Sequence, residues 1–474
     1  MSDPAPPHRS IGLLMTVLMA TQLIYLYAGP EPLGWISVAL VLALPVAGWR
    51  SMKLREVYLL AVSFALLGLV AAFRDDAARL ISTGLHRSAY LASFILLMGF
   101  LRDGAATSPS ILACGRYITA QPAQRRFIAV FSGSHFLSVM VNLGAMSLLG
   151  PIIQRGVRGD DRTYAELDPI SQVRERRQLS AALRGFSWFL VWAPTAVTQA
   201  ILPTLIPGID PLRLIGLGLM ITLVMLLLGW LDDMMTWRPM RRRLVASGTM
   251  PVIEPAEPPW RAIGNLALVC TALFGLTFAF LTWAAVTIVT GMMLAAPLVV
   301  MVWIGLQQRQ AGRDDGGFAA RLGRSAFVNL PGFIREAVFL GCAGFIGTLA
   351  AALVPADRLA ALLELAQVPG WNVMLALSVA VLLAGQVGLS PITMAVFLGS
   401  VYAEFPASPV DPTLAALAIA AGTAIASTGA PFASAAAMLA RVSGHDTVTL
   451  TWRWNGLFTL LATAALALIY AMLS

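Results

Sequence analysis

Four stretches of this chain set small hydroxyl and amide side chains beside proline or glycine in otherwise apolar sequence. FSGSHFLSVMVNLGAMSLLGPI (131–152) carries Ser134, His135, Ser138 and Asn142, and AGQVGLSPITMAVFLGSV (384–401) carries Gln386, Ser390 and Thr393. FLVWAPTAVTQAIL (189–202) brings Pro194, Thr195, Thr198 and Gln199, and GTAIASTGAPFASA (422–435) brings Thr423, Ser427, Thr428, Pro431 and Ser434. Proline lacks a backbone donor and clashes with the preceding turn, so Pro194 and Pro431 are the expected break points of two helices. A break frees amides at a helix N-terminus to hold an anion and carbonyls at the opposing end to hold a cation. Small polar side chains then complete coordination without placing a full charge in an apolar medium. The chemistry is reversible binding of a solute and ions, carried by Ser138, Asn142, Thr195, Ser390, Thr393, Ser427 and Thr428. His135 is a candidate proton carrier, because histidine titrates near ~6.5; the competing reading is a neutral ring bonded to a hairpin carbonyl.

The elements that position these residues follow from composition. With 474 residues, 58% hydrophobic and 12% charged, the chain reads as an all-α polytopic membrane protein. Apolar runs at 11–28, 34–48, 57–73, 88–101, 186–206, 211–231, 263–281, 282–304, 333–354, 412–440 and 454–473 predict about eleven transmembrane helices. The first is read as a retained helix, since bulky Tyr25, Leu26 and Tyr27 fit a leader cleavage site poorly. Segments 126–153 and 371–403 are long for one helix and short for two spans, which predicts two re-entrant hairpins; irregular backbone at depth survives only when buried in protein or lining a cavity.

The net charge of +8 follows the loops rather than a nucleic-acid surface. Arg238, Arg241, Arg242 and Arg243 assign 232–262 to the cytoplasm, and propagation puts most of the 32 Lys and Arg on that side. The N-terminus is then cytoplasmic and the C-terminus outside, in a bacterial-type inner membrane. The exception is 74–87, an expected outward loop holding Arg74, Arg79 and Arg87. With this orientation the two hairpins enter from opposite faces. Sequence identities agree: Gly84, Arg87 and Ala89 recur at a constant offset as Gly332, Arg335 and Ala337, VNLGAMSLLGPI falls opposite SPITMAVFLGSV, and Gly185…Ala193-Pro194 recurs as Gly422…Ala430-Pro431. The expected organisation is an N-terminal extra helix (1–33), a first inverted repeat (34–231), a cytoplasmic linker (232–262) with Pro251, Pro255, Pro258 and Pro259, and a second inverted repeat (263–474). Inverted repeats with broken helices build solute sites at the bilayer midplane of secondary transporters.

The layout resembles the ion-transporter superfamily, including the divalent-anion/sodium symporters. The hairpins of that family carry Ser-Asn-Thr motifs followed by small residues and Pro-Ile. Asn142 and Pro151-Ile152 match at the same spacing, while Val141 and Leu143 replace Ser and Thr; in the second hairpin Ser390 matches, and Pro391 and Ile392 depart. AGTAIASTGAPFAS is similar to the family's Gly-Thr-Pro-Pro-Asn broken helix, keeping Thr428 and Pro431 in kind and losing Asn. The resemblance implies symport of a small anion, an organic carboxylate first, coupled to Na⁺ or H⁺ by elevator-type movement, with a scaffold of a kind that often forms a homodimer. No other cofactor is expected.

Other classes are less well served. Cys114, Cys270 and Cys342 are scattered, so they form neither a disulfide framework nor a metal site. No catalytic constellation, nucleophile elbow or P-loop is visible, and the outward loops are too short for a glycan polymerase or ligase, so no enzyme is expected. A membrane subunit of a multi-component solute transport system is the main alternative. Several polar residues also have ordinary readings: Arg335 and Glu336 as a snorkelling or locally paired couple, Arg184 as a positive-inside anchor, and Asp232 and Asp233 as interfacial partners of the arginine cluster.

Overall fold

The structure is a computed structural model that describes residues 9–159, 162–248, 256–311, 317–355, 367–405 and 410–474, with positions 358, 361 and 365. His8, Pro251 and Pro255 lie outside the described residues. Among the described residues the regular structure is entirely helical. In the first half come α1 (Arg9–Ala28), α2 (Glu31–Ala47), α3 (Leu54–Phe73), α4 (Ala77–Ala106), α5 (Pro109–Thr119), α6 (Arg126–Val141), α7 (Gly144–Arg158), α8 (Pro169–Phe189), α9 (Val197–Leu205) and α10 (Pro211–Ala246). The second half has α11 (Trp260–Trp283), α12 (Ile288–Ala311), α13 (Gly317–Arg324), α14 (Ile334–Ala352), α15 (Gly370–Gln386), α16 (Pro391–Ala403), α17 (Pro412–Gly429), α18 (Ser434–Ser443) and α19 (Trp454–Leu473).

Nine of the described helices are long and apolar enough to cross a membrane, and this is an all-α polytopic membrane protein. Two expected spans fall short for physical reasons. α2 has 17 residues, the lower limit for crossing, and the run at 186–206 is interrupted between Phe189 and Val197. The expected loop at 74–87 is mostly the first turns of α4. There Arg87 is part of the packed interior, donating to Thr348 Oγ1 at 3.0 Å and Ser400 Oγ at 3.2 Å, while Arg74 and Arg79 pair with Asp76. The segment 232–246, expected as linker, continues α10 as helix, since its Met, Arg and Leu residues are good helix formers.

At the centre α4 packs on α14. Ser88 Oγ donates to the Gly341 carbonyl at 2.8 Å, Gly84 faces Phe345 and Leu349, and Gly99 faces Phe333. As α4 advances α14 retreats, so the two run antiparallel. Around them α6 and α7 fold together against α8, and α15 and α16 fold together against α17.

Both groups use the same packing device. In the first, a Cβ on Gly185 of α8 would lie 2.2 Å from the Phe131 carbonyl oxygen of α6, and Ser134 Oγ donates to Ala182 O at 2.7 Å. In the second, a Cβ on Gly422 of α17 would lie 2.7 Å from the Ser378 backbone of α15, and Ser378 Oγ donates to Ala418 O at 2.7 Å. Small residues allow close backbone approach, which is how helices associate where burial alone gives no drive between them. Every residue of α17 except its first is buried, making it the innermost helix of the bundle.

Candidate functional site

Each of the four polar stretches holds a helix interruption. Asn142 and Leu143 separate α6 from α7, residues 387–390 separate α15 from α16, residues 190–196 separate α8 from α9, and residues 430–433 separate α17 from α18. Asn142 has φ +49° and ψ −129°, outside the left-handed helical region and a strained conformation for any residue with a side chain. Ser390 caps α16, its hydroxyl accepting from the Ile392 amide at 3.3 Å. Pro194 and Pro431 lie inside the two remaining intervals.

Carbonyls orphaned by the breaks need partners. Thr198 Oγ1 donates to Leu190 O at 2.6 Å and Gln199 Nε2 to Val191 O at 2.5 Å, both reaching back across the gap. On the other side Gln386 Nε2 donates to Gly429 O at 3.0 Å, and Trp452 Nε1 donates to Gln386 Oε1 at 2.9 Å. These polar side chains hold the breaks open without leaving the backbone unsatisfied.

A cavity of about 210 Å³ lies where the interruptions converge. Asn142, Ser390 and Ser427 line it, joined by Thr198, Thr423 and Ser434. Ser138, Thr195, Thr393, Thr428 and His135 do not line it. Ser138 is buried and donates to Ser134 O, and Thr428 donates to Ile425 O within its own helix. The Thr195 and Thr393 hydroxyls are buried with no hydrogen-bond partner. His135 sits with one ring nitrogen 3.0 Å from Gly185 O and the other accepting from Trp192 Nε1 at 2.9 Å. Because a carbonyl requires a donor and an indole N–H an acceptor, this geometry defines a neutral ring protonated at Nδ1. It describes the carbonyl-bonded reading.

The other wall of the cavity is basic. Arg55, Arg102, Arg335 and Arg441 line it together with Glu336. The fully buried Glu56 pairs with Arg55 at 2.9 Å and with Arg335 at 3.3 Å, so one carboxylate serves two of the arginines. Arg102 and Arg441 form no ion pair among the described residues. Arg102 lies against the first hairpin turn: a Cβ on Gly144 would meet its Nε at 2.9 Å. One carboxylate oxygen of Glu336 is buried without a partner. Arg102 is half-buried and Arg441 exposed at the edge of the cavity; half-buried charged groups left without full pairing beside a cavity between membrane helices are binding-site candidates by default. Sequence reasoning named the small polar residues and passed over Arg102 and Arg441. Each flanks an apolar run, where the positive-inside rule already accounts for an arginine. Three other groups, Arg184, Asp232 and Asp233, are packed between α8 and α10 and pair there, the aspartates with arginines of α8 in place of the Arg238–Arg243 cluster. Arg184 is buried and pairs with Asp232 at 2.7 Å, donates to Asn455 Oδ1 at 2.8 Å and lies 4.2 Å over the Phe458 ring. Arg177 pairs with Asp233 in the same network.

The arrangement is that of a polytopic helical membrane protein with interrupted helices meeting at an internal cavity. Among solved structures, this fold is similar to the crystal structure of the Alcanivorax borkumensis YdaH transporter, described as having an unusual topology. The TM-score is 0.58 at 14% sequence identity, with 89% of this chain and 99% of that chain covered. At this identity the similarity speaks for the fold. No family model matches the chain, and no curated protein matches it in sequence.

Proposed function

We propose that this protein is a secondary active transporter of a small anion, an organic carboxylate first, driven by Na⁺ or H⁺. The observation that carries this reading is the cavity lined by Asn142 and Ser390 of two interruptions, by Ser427 in the last turn of α17 before a third, and by Arg102 and Arg441. Arginine holds carboxylates through paired, charge-assisted hydrogen bonds, and the free helix ends supply amides to the same anion. Glu336, in the cavity wall, leaves one carboxylate oxygen without a hydrogen-bond partner, which suits a cation. The likeness of fold to a transporter supports the same class.

In this reading residues 34–231 and 263–474 are inverted copies, which accords with the antiparallel α4 and α14 and with the glycine–serine contacts common to both halves. The domain bearing the hairpins moves against the outer helices and carries the solute between faces. The motif matches at Asn142 and Ser390 favour kinship with divalent-anion/sodium symporters. The basic rim then opens to the cytoplasm.

The test is reconstitution in liposomes with pooled labelled organic anions under separately imposed sodium and proton gradients. Gradient-driven accumulation of an anion is the expected result, and Asn142→Ala with Ser390→Ala reduces it at least about tenfold, as loss of charge-assisted contacts does. Undiminished uptake in the folded double variant removes these residues from the site. No uptake of any anion by folded protein overturns the stand-alone anion transporter.

A further inference from the structure

A second cavity, of about 880 Å³, lies outside the convergence of the interruptions, between the start of α8, the start of α6 and the far end of α10. α10 has 36 residues, about 54 Å of helix, against a hydrocarbon core of about 30 Å. Its unbroken apolar run ends at Asp232, so Trp230, Met234, Met235 and Trp237 stand at the level of the headgroups and Arg238 and Arg241 just beyond. All six line the cavity. Met234 and Met235 are exposed. The site thus joins an apolar wall to a basic one at the membrane boundary.

Charge in the lining is unbalanced. Arg126, Arg174, Arg177, Arg238 and Arg241 face only Asp168 and Asp233. Both carboxylates are already engaged. Asp233 holds Arg177 through both its oxygens, and Asp168 caps α8, accepting from the amides of Ile170 and Ser171. No carboxylate pairs with the other four arginines among the described residues. Arg126 is 4% exposed, with its Nε donating to Gln121 O at 3.1 Å, and Arg174 Nε is buried with no partner at all. Arg126 is buried and Arg174 half-buried, and cations so placed in one lining are costly unless an anion joins them, while Arg238 and Arg241 stand exposed at the mouth. A phosphate does so with the planar fork of each guanidinium, and basic pockets between membrane helices at this depth suit anionic lipid headgroups.

We propose that this cavity binds an anionic phospholipid, its phosphate held by Arg126, Arg174, Arg238 and Arg241 and its acyl chains running down the Trp230–Met234 wall. The lipid bridges α6, α8 and α10 at the base of the first hairpin.

The experiment uses the full-length protein, delipidated in detergent, with binding of phosphatidylglycerol and phosphatidylcholine followed by native mass spectrometry. Phosphatidylglycerol binds selectively in the expected result. Arg238→Gln with Arg241→Gln weakens it about 25-fold, at roughly fivefold per interfacial arginine. Arg242→Gln with Arg243→Gln removes the same charge from the same helix outside the cavity lining and changes binding less than about twofold. Arg174→Gln provides a second reading from α8, also with weakened binding. Equal losses in the two double variants would overturn the site in favour of general surface attraction. Phosphatidylcholine binding as tightly, or glycerol phosphate displacing the lipid at equal concentration, would overturn a lipid occupant.

Discussion

Asn142 does two jobs. Its backbone turns the first hairpin at φ +49°, and its side chain lies at the cavity wall. Strained backbone at a binding site persists only where the surroundings over-determine it, and here α6, α7 and α8 pack around the turn. Arg102 is the clearest addition to the residues that the sequence singles out. It has room beside this turn because position 144 is glycine, and no carboxylate pairs with it among the described residues. Arg102→Gln keeps the shape and removes the charge. Under the proposed function the expected effect is an apparent KM for the anion raised about tenfold or more, the worth of one charge-assisted hydrogen bond, with the melting temperature nearly unchanged. An unaltered KM would assign Arg102 to topology alone.

Among elements, α8 and α17 are held by different means in addition to their shared glycine–serine contacts. α17 is buried throughout and relies on alanine-rich packing. α8 carries ionic ties: Arg177 to Asp233 and Arg184 to Asp232 on α10, and Glu175 to Arg158 on α7, with a hydrogen bond between Glu175 and His445 beyond α18. Removing one partner of a buried pair leaves an uncompensated charge, which is why α8 and α10 are expected to keep one relative position. Tight backbone approach makes a different demand. Gly185→Ala forces a methyl into the Phe131 carbonyl, and we expect a loss of about 1–3 kcal/mol, the usual cost of overpacking, read as a lowered midpoint in denaturant. Gly422→Ala should do the same through Ser378. An unchanged midpoint in both would mean that the helices separate without cost.

For the whole molecule, the basic residues predict an orientation. α10 carries Arg238, Arg241, Arg242 and Arg243 on its overhang, and Arg102, Arg335 and Arg441 rim the central cavity. With the overhang in the cytoplasm, Arg242→Cys is expected to react with a membrane-impermeant maleimide in inverted vesicles and to stay unlabelled in intact spheroplasts. Labelling of the intact cells would reverse the orientation and with it the face to which the cavity opens. The large apolar surface of the outer helices, among them α3 with few buried residues, is what a bilayer covers.

The sequence by itself determined the class of molecule, most of its helices and all four interruptions. Each of these is written locally, in runs of apolar residues, in prolines, and in polar residues that apolar surroundings tolerate only at turns. It also singled out Asn142, Ser390 and Ser427. Only the tertiary structure decided which of seven similar hydroxyl and amide residues share a cavity, because Ser138 and Thr428 differ from Ser427 in the direction they face rather than in type. It likewise turned Arg87 from a loop charge into an interior donor and brought Arg184 to Asp232. In both cases the partners are remote in the chain, and an arginine beside an apolar run reads the same whether it meets water, lipid or a carboxylate.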